Sequence, residues 1–131
     1  MAVTREIETT DRVEILDITD LVEAAVPVTA DAGLCSVFVS HTTAGLAVNE
    51  AEPGLLQDIE STLERLIPGE ESYDHDRIDD NADAHLRNLL LQSSVTLPIR
   101  DGALALGTWQ SVLFVESDGP RTRTVTITVV E

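Results

Sequence analysis

The stretch Leu34–Glu50, LCSVFVSHTTAGLAVNE, decides the fold of this chain. Leu34 to Ser40 is a continuous apolar and β-branched run, the pattern of a central strand. A second apolar segment, Leu46-Ala47-Val48, follows within a few residues, so the HTTAG between them reads as a turn joining two strands. Cys35, the only cysteine, falls inside the first strand and reads as a core residue, because no basic neighbour supports a reactive thiol.

Working outward, Arg5–Thr9 and Arg12–Ile18 alternate polar and apolar residues, as half-buried strands do. Thr19–Val26, stopped by Pro27, reads as a short helix with an Asp20/Glu23 capping pair. Pro53 opens a second helix whose Leu55, Leu56, Ile59, Leu63, Leu66 and Ile67 recur at helical spacing, with Pro68-Gly69 ending it. Glu70–Asp80 is acidic and aperiodic, hence a loop. Asp80 is expected to cap a third helix running to about Gln92, with Ala82, Leu86, Leu89 and Leu90 as its buried stripe. Val95–Arg100, Trp109–Glu116 and Thr122–Val130 read as strands, punctuated by Asp101-Gly102 and Asp118-Gly119 turns. The expected fold is α+β: a mostly antiparallel sheet or sandwich with about three helices, one domain over residues 1–131.

Composition bounds the function. The chain has 131 residues, of which 43% are hydrophobic but only 3% aromatic, so the core must be aliphatic. One cysteine allows no internal disulfide, and no segment reaches the roughly 18 apolar residues of a membrane span. A soluble, cytoplasmic protein with no membrane partner is expected. Net charge is -16, from 24 acidic and 8 basic residues, and every basic residue is arginine. Such a surface disfavours nucleic acid, which needs clustered positive charge. It fits either an ordinary acidic protein or a halophilic one, whose self-repulsion concentrated salt would screen; the absence of lysine favours the second.

All three histidines lie between residues 41 and 85 among carboxylates and carboxamides. Imidazole titrates near neutrality and binds metals, and nearby carboxylates orient it. His41, His75 and His85 are therefore candidate ligands for a divalent ion such as zinc, with water in an open position, although no HExxH or CxxC spacing is present. Each is equally readable as a hydrogen-bonded structural residue. Asn49 and Glu50 end the strand after His41 and are candidates to face it; Asp58 reads as a solvated surface charge. Trp109 suits either core packing or a pocket wall, with Gln110 beside it to read an amide or a ring nitrogen. Arg121 and Arg123, two apart on a strand, share a face and form either an anion clamp or surface salt bridges.

The HTTA with Asn49-Glu50, Tyr73-x-His75, DDNADAH, Gly102 with LGTWQ, and DGPRTR together resemble the family described as secondary thiamine-phosphate synthases, from about Ser40 to the C-terminus. The resemblance implies a homotrimer with a histidine-centred site near the subunit interface. It also implies joining of a hydroxymethylpyrimidine diphosphate to a thiazole phosphate, a transferase activity on small phosphorylated substrates. On that basis His41, Glu50 and His85 would be catalytic. Thr42, Asn49, Asn81, Thr108, Trp109, Gln110, Arg121 and Arg123 would hold substrate, and magnesium could accompany the diphosphate. The alternatives are metal-dependent hydrolysis of a phosphorylated metabolite and a non-catalytic metal- or metabolite-binding trimer.

Overall fold

A computed structural model describes the whole chain, Met1–Glu131. Two antiparallel sheets face each other. The larger runs β1 (Ala2–Glu8), β8 (Thr122–Val130), β3 (Ala32–Val39), β5 (Ser94–Arg100) and β6 (Ala103–Leu104) in that spatial order, and the smaller runs β2 (Glu14–Asp17), β7 (Ser111–Glu116) and β4 (Ala44–Asn49). The helices are α1 (Thr19–Glu23), α2 (Pro53–Leu66) and α3 (Ala82–Asn88), with one 3-10 turn at Asp74–Arg77. The α+β reading of the sequence is the observed architecture.

Side-chain alternation builds the core. Cys35, Val37 and Val39 of β3 and Val125, Ile127 and Val129 of β8 point inward, where they join Leu46, Val112 and Phe114 of the smaller sheet. The opposite face of the larger sheet is uncovered in one chain. Leu34 and Phe38 are exposed there, paired with Val130 and Thr126 of β8 and with Pro98 and Ser94 of β5. The central strand is thus buried on one face only, not on both as an unbroken apolar run suggests.

Other expectations are corrected by local chemistry. Asp20 and Glu23 form no capping pair: Asp17 Oδ1 accepts from the Thr19 N–H at 3.0 Å, and Glu23 accepts from the Leu104 N–H at 3.1 Å. Asn81 rather than Asp80 occupies the N-cap of α3, and Asp76 Oδ1 accepts from the Ala82 N–H. The helix buries Ala82, Asp83, Ala84 and Arg87, while Leu86, Leu89 and Leu90 face outward. Trp109 precedes β7 in a turn instead of starting the strand. The Asp101-Gly102 hairpin turn forms as expected, with positive φ of 52° and 79°; a Cβ at Gly102 would strike the Val28 carbonyl.

Candidate functional site

Antiparallel pairing of β4 with β7 settles the layout. Ala44 pairs with Glu116 and Asn49 with Ser111, so the residues preceding β4 meet those following β7. His41, Thr42 and Thr43 consequently gather with Arg121, Arg123, Asn81 and His85. Glu50 gathers at the other end with Thr108, Trp109, Asp17 and Glu52. Five residue steps of strand, about 17 Å, separate Ala44 from Asn49. The expected site residues therefore form two clusters, and one chain does not bring Glu50 or Trp109 to the histidines.

The histidine end holds a cleft of about 350 Å³ lined by Ser40, His41, Thr42, Thr43, Asn81, His85, Arg121 and Arg123. No carboxylate lines it, although acids outnumber bases threefold in the chain. Two further clefts adjoin it at His85. One, of about 420 Å³, includes Tyr73, His75, Ala82 and Leu86; the other, of about 380 Å³, includes Leu86, Asn88, Leu89 and Ser93.

Each histidine has a distinct setting. His41 Nε2 accepts from the Thr124 N–H at 2.8 Å. A backbone N–H only donates, so Nε2 keeps its lone pair there and Nδ1 carries the proton of the neutral ring. Burial, and then the Arg123 cation, hold the His41 pKa below its ordinary value, which keeps the ring neutral near pH 7. His75 Nε2 lies 3.1 Å from Asn81 Oδ1. His85 packs edge-on against His75, with ring centroids 4.8 Å apart and planes at 76°.

The three histidines do not make a metal centre within one chain. No group of three or more His, Cys, Asp or Glu side chains is placed to hold an ion. The His41 Nε2 lone pair is directed at a backbone donor, and freeing Nδ1 for a metal would put a proton where Thr124 already donates. The expected zinc site at His41, His75 and His85 is corrected on this geometry.

The two arginines also have separate places. Arg123 is buried: its Nε donates to Glu116 Oε1 at 2.8 Å, and its Nη2 donates to Glu116 Oε2 and to Thr43 Oγ1. It forms the floor of the cleft, not half of a free clamp. Arg121 lies just before β8 with its side chain half exposed, bonded to Asp118. At the far end Trp109 is 73% exposed, which rules out core packing. Gln110 Oε1 accepts from the Gly107 N–H at 2.8 Å and closes that turn. Asn49 Oδ1 accepts from the Glu50 N–H. Asp118 and Glu116 organise the histidine end; in the sequence Asp118 is marked by the Asp118-Gly119 turn and by its place at the head of DGPRTR, whereas Glu116 is only the end of a strand.

Fold and cleft define a two-sheet α+β protein with a histidine- and arginine-lined polar site. The chain belongs to the YjbQ-like UPF0047 family, whose model matches residues 3–131. It is 53% identical over 121 residues to a UPF0047 protein of Archaeoglobus fulgidus, covering 92% of this chain and 94% of that one. It is 38% identical over 126 residues to the UPF0047 protein YugU of Bacillus subtilis, covering 95% of each. A crystal structure of a YbjQ-like protein of unknown function from Sulfolobus solfataricus superposes with a TM-score of 0.94 at 38% identity, covering 100% of this chain and 97% of that one. These relatives correct the family expectation. UPF0047 is a family of unknown function, and nothing in the relatives supports thiamine-phosphate synthesis or the transferase class. Within one chain the histidines supply no metal centre for the hydrolase or the metal-binding alternative. No helix of the chain is long and apolar enough to cross a membrane.

Proposed function

We propose that the His41–His85 cleft binds the phosphate, or a related anionic group, of a small phosphorylated molecule. The observation that carries this reading is the lining. Two arginines, two histidines and three hydroxyl side chains converge with no carboxylate among them, in a chain of net charge -16. Anions are held by such convergent donors, and charge-assisted bonds from a guanidinium are the stronger ones. His41 supplies its Nδ1–H as a neutral donor, and His85, whose ring makes no hydrogen bond to the protein, is the group placed to exchange a proton with the ligand. A divalent cation such as magnesium arrives, in this reading, with the ligand's phosphates and not on the histidines.

The working form in this reading is a homotrimer in a salt-rich cytoplasm. Its support is the outer face of β3, β5 and β8, which carries no charge between Ser94 and Pro98, Leu34 and Phe38, or Thr124 and Val130. In a protein this acidic, an uncharged sheet face beside exposed leucines suits contact with another copy. The test of the site is a titration with inorganic phosphate followed by the ring resonances of His41 and His85. Saturable shifts, weakened at least tenfold by Arg121→Ala, are expected for a lost charge-assisted bond of about 1.5–3 kcal/mol. Histidine resonances that ignore phosphate at millimolar concentration would rule the reading out.

A further inference from the structure

The geometry points to Asp118 as a positioning residue for the cleft: one carboxylate oxygen orients Arg121 and fixes the tautomer of His75. Its consequence for binding rests on the anion reading above; its geometry does not. Asp118 Oδ2 accepts from Arg121 Nη2 at 2.9 Å, and the Asp118 main-chain carbonyl accepts from Arg121 Nε at 2.8 Å. Two bonds to one residue hold the plane of a guanidinium that is otherwise half exposed, and so aim it along the cleft wall.

The second arm runs through Asn81. The same Oδ2 accepts from Asn81 Nδ2 at 2.8 Å. A carboxylate only accepts, so Asn81 must turn its amide nitrogen toward Asp118 and its oxygen toward His75. An amide oxygen also only accepts; the 3.1 Å contact therefore requires the proton of neutral His75 to sit on Nε2, with the lone pair on Nδ1. Asp118 is itself anchored, because its N–H donates at 3.0 Å to buried Glu116, the partner of Arg123. Orientation thus passes from the buried ion pair through Asp118 to Arg121 on the cleft wall and, by way of Asn81, to His75 in the adjoining cleft. Asp118 does not line the cleft, so its role is indirect.

The test uses the full chain with Asp118→Ala and Asp118→Asn. Ring nitrogen shifts of labelled histidine report the His75 tautomer without ligand, and inorganic phosphate reports binding. Through charge alone, removing a carboxylate beside an anion site would tighten phosphate. Positioning predicts the opposite sign for Asp118→Ala: weaker phosphate by several-fold, with His75 released to a mixture of tautomers. Asparagine keeps an acceptor oxygen, so Asp118→Asn should retain the Nε2–H tautomer and bind phosphate at least as tightly as the parent. A folded Asp118→Ala with the parent tautomer, or with tighter phosphate, overturns the proposal. If the alanine variant does not fold, a tautomer shift or weakened phosphate in Asp118→Asn overturns it instead. Absence of phosphate binding in the parent, with the tautomer still dependent on Asp118, refutes the anion reading and leaves the positioning of His75 supported.

Discussion

Asp83 and Arg87 stand one turn apart on α3, their carboxylate and guanidinium 3.3 Å from each other and both side chains almost wholly buried. Arg12 reaches Asp83 from the β1–β2 connection with two 3.0 Å bonds, while Arg87 also donates to Glu64 and to the Ile67 carbonyl. Charge, not leucine packing, therefore fixes the rotation of α3 about its axis. That rotation turns Leu86, Leu89 and Leu90 outward and delivers His85 to the meeting point of three clefts.

Acid should unfold the protein in a predictable window. Burial alone would raise the Asp83 pKa, but Arg12 and Arg87 outweigh it and hold the carboxyl below its ordinary value. Glu116 is likewise held down against its burial by Arg123, the Asp118 N–H and Thr9. A carboxyl lowered in the folded state contributes stability that is complete above its unfolded pKa, about 4, and is lost as pH falls through the folded value. His41, also lowered, adds a loss in the same direction as pH falls below about 6.5. Thermal melts across pH should show the unfolding temperature falling from mildly acid pH downward and most steeply below about pH 4. A temperature that rises on acidification contradicts the sign.

Arg121 and Glu116 should differ sharply in their effect on stability. Glu116→Ala leaves Arg123 buried without its counter-charge and should cost about 3–5 kcal/mol. Arg121→Ala removes a half-exposed pair and should change stability by about 0.5 kcal/mol or less. Denaturant titration of the two variants makes the comparison, and equal losses would contradict the separate roles of wall and floor.

Salt should stabilise. With 24 acids against 8 arginines, like-charge pairs outnumber unlike ones, so screening relieves more repulsion than attraction. The unfolding temperature is expected to rise from dilute buffer to molar potassium chloride, and sodium chloride should act alike. A flat or falling temperature removes the salt-adapted reading.

Assembly is tested at the uncharged sheet face. Light scattering should report a trimer for the parent chain at micromolar concentration. Phe38→Glu, at an exposed position of β3, should yield monomers with unchanged circular dichroism. A monomeric parent, or a Phe38→Glu trimer, excludes this face as the contact.

Much of this molecule is written in local pattern. Alternation along β8 and the apolar run of β3 set strand identity, Pro53 and Pro68 bracket α2, and Asp101-Gly102 marks a turn that needs positive φ. Those signals act over a few residues, so the sequence alone determines them. The net charge and the lack of lysine are equally direct. The pairing of β4 with β7 is a different kind of fact, because it joins residues some seventy positions apart. Only that register decides that His41 meets Arg121 while Glu50 meets Trp109. The burial of Asp83 and Arg87 is of the same kind. A helix can present either face, and here partners contributed by Arg12 and Glu64, distant in sequence, compensate the desolvation of charge and leave the leucines outside. Likewise the donor at Thr124, eighty-three residues from His41, assigns the ring its tautomer; no pattern around His41 carries that information.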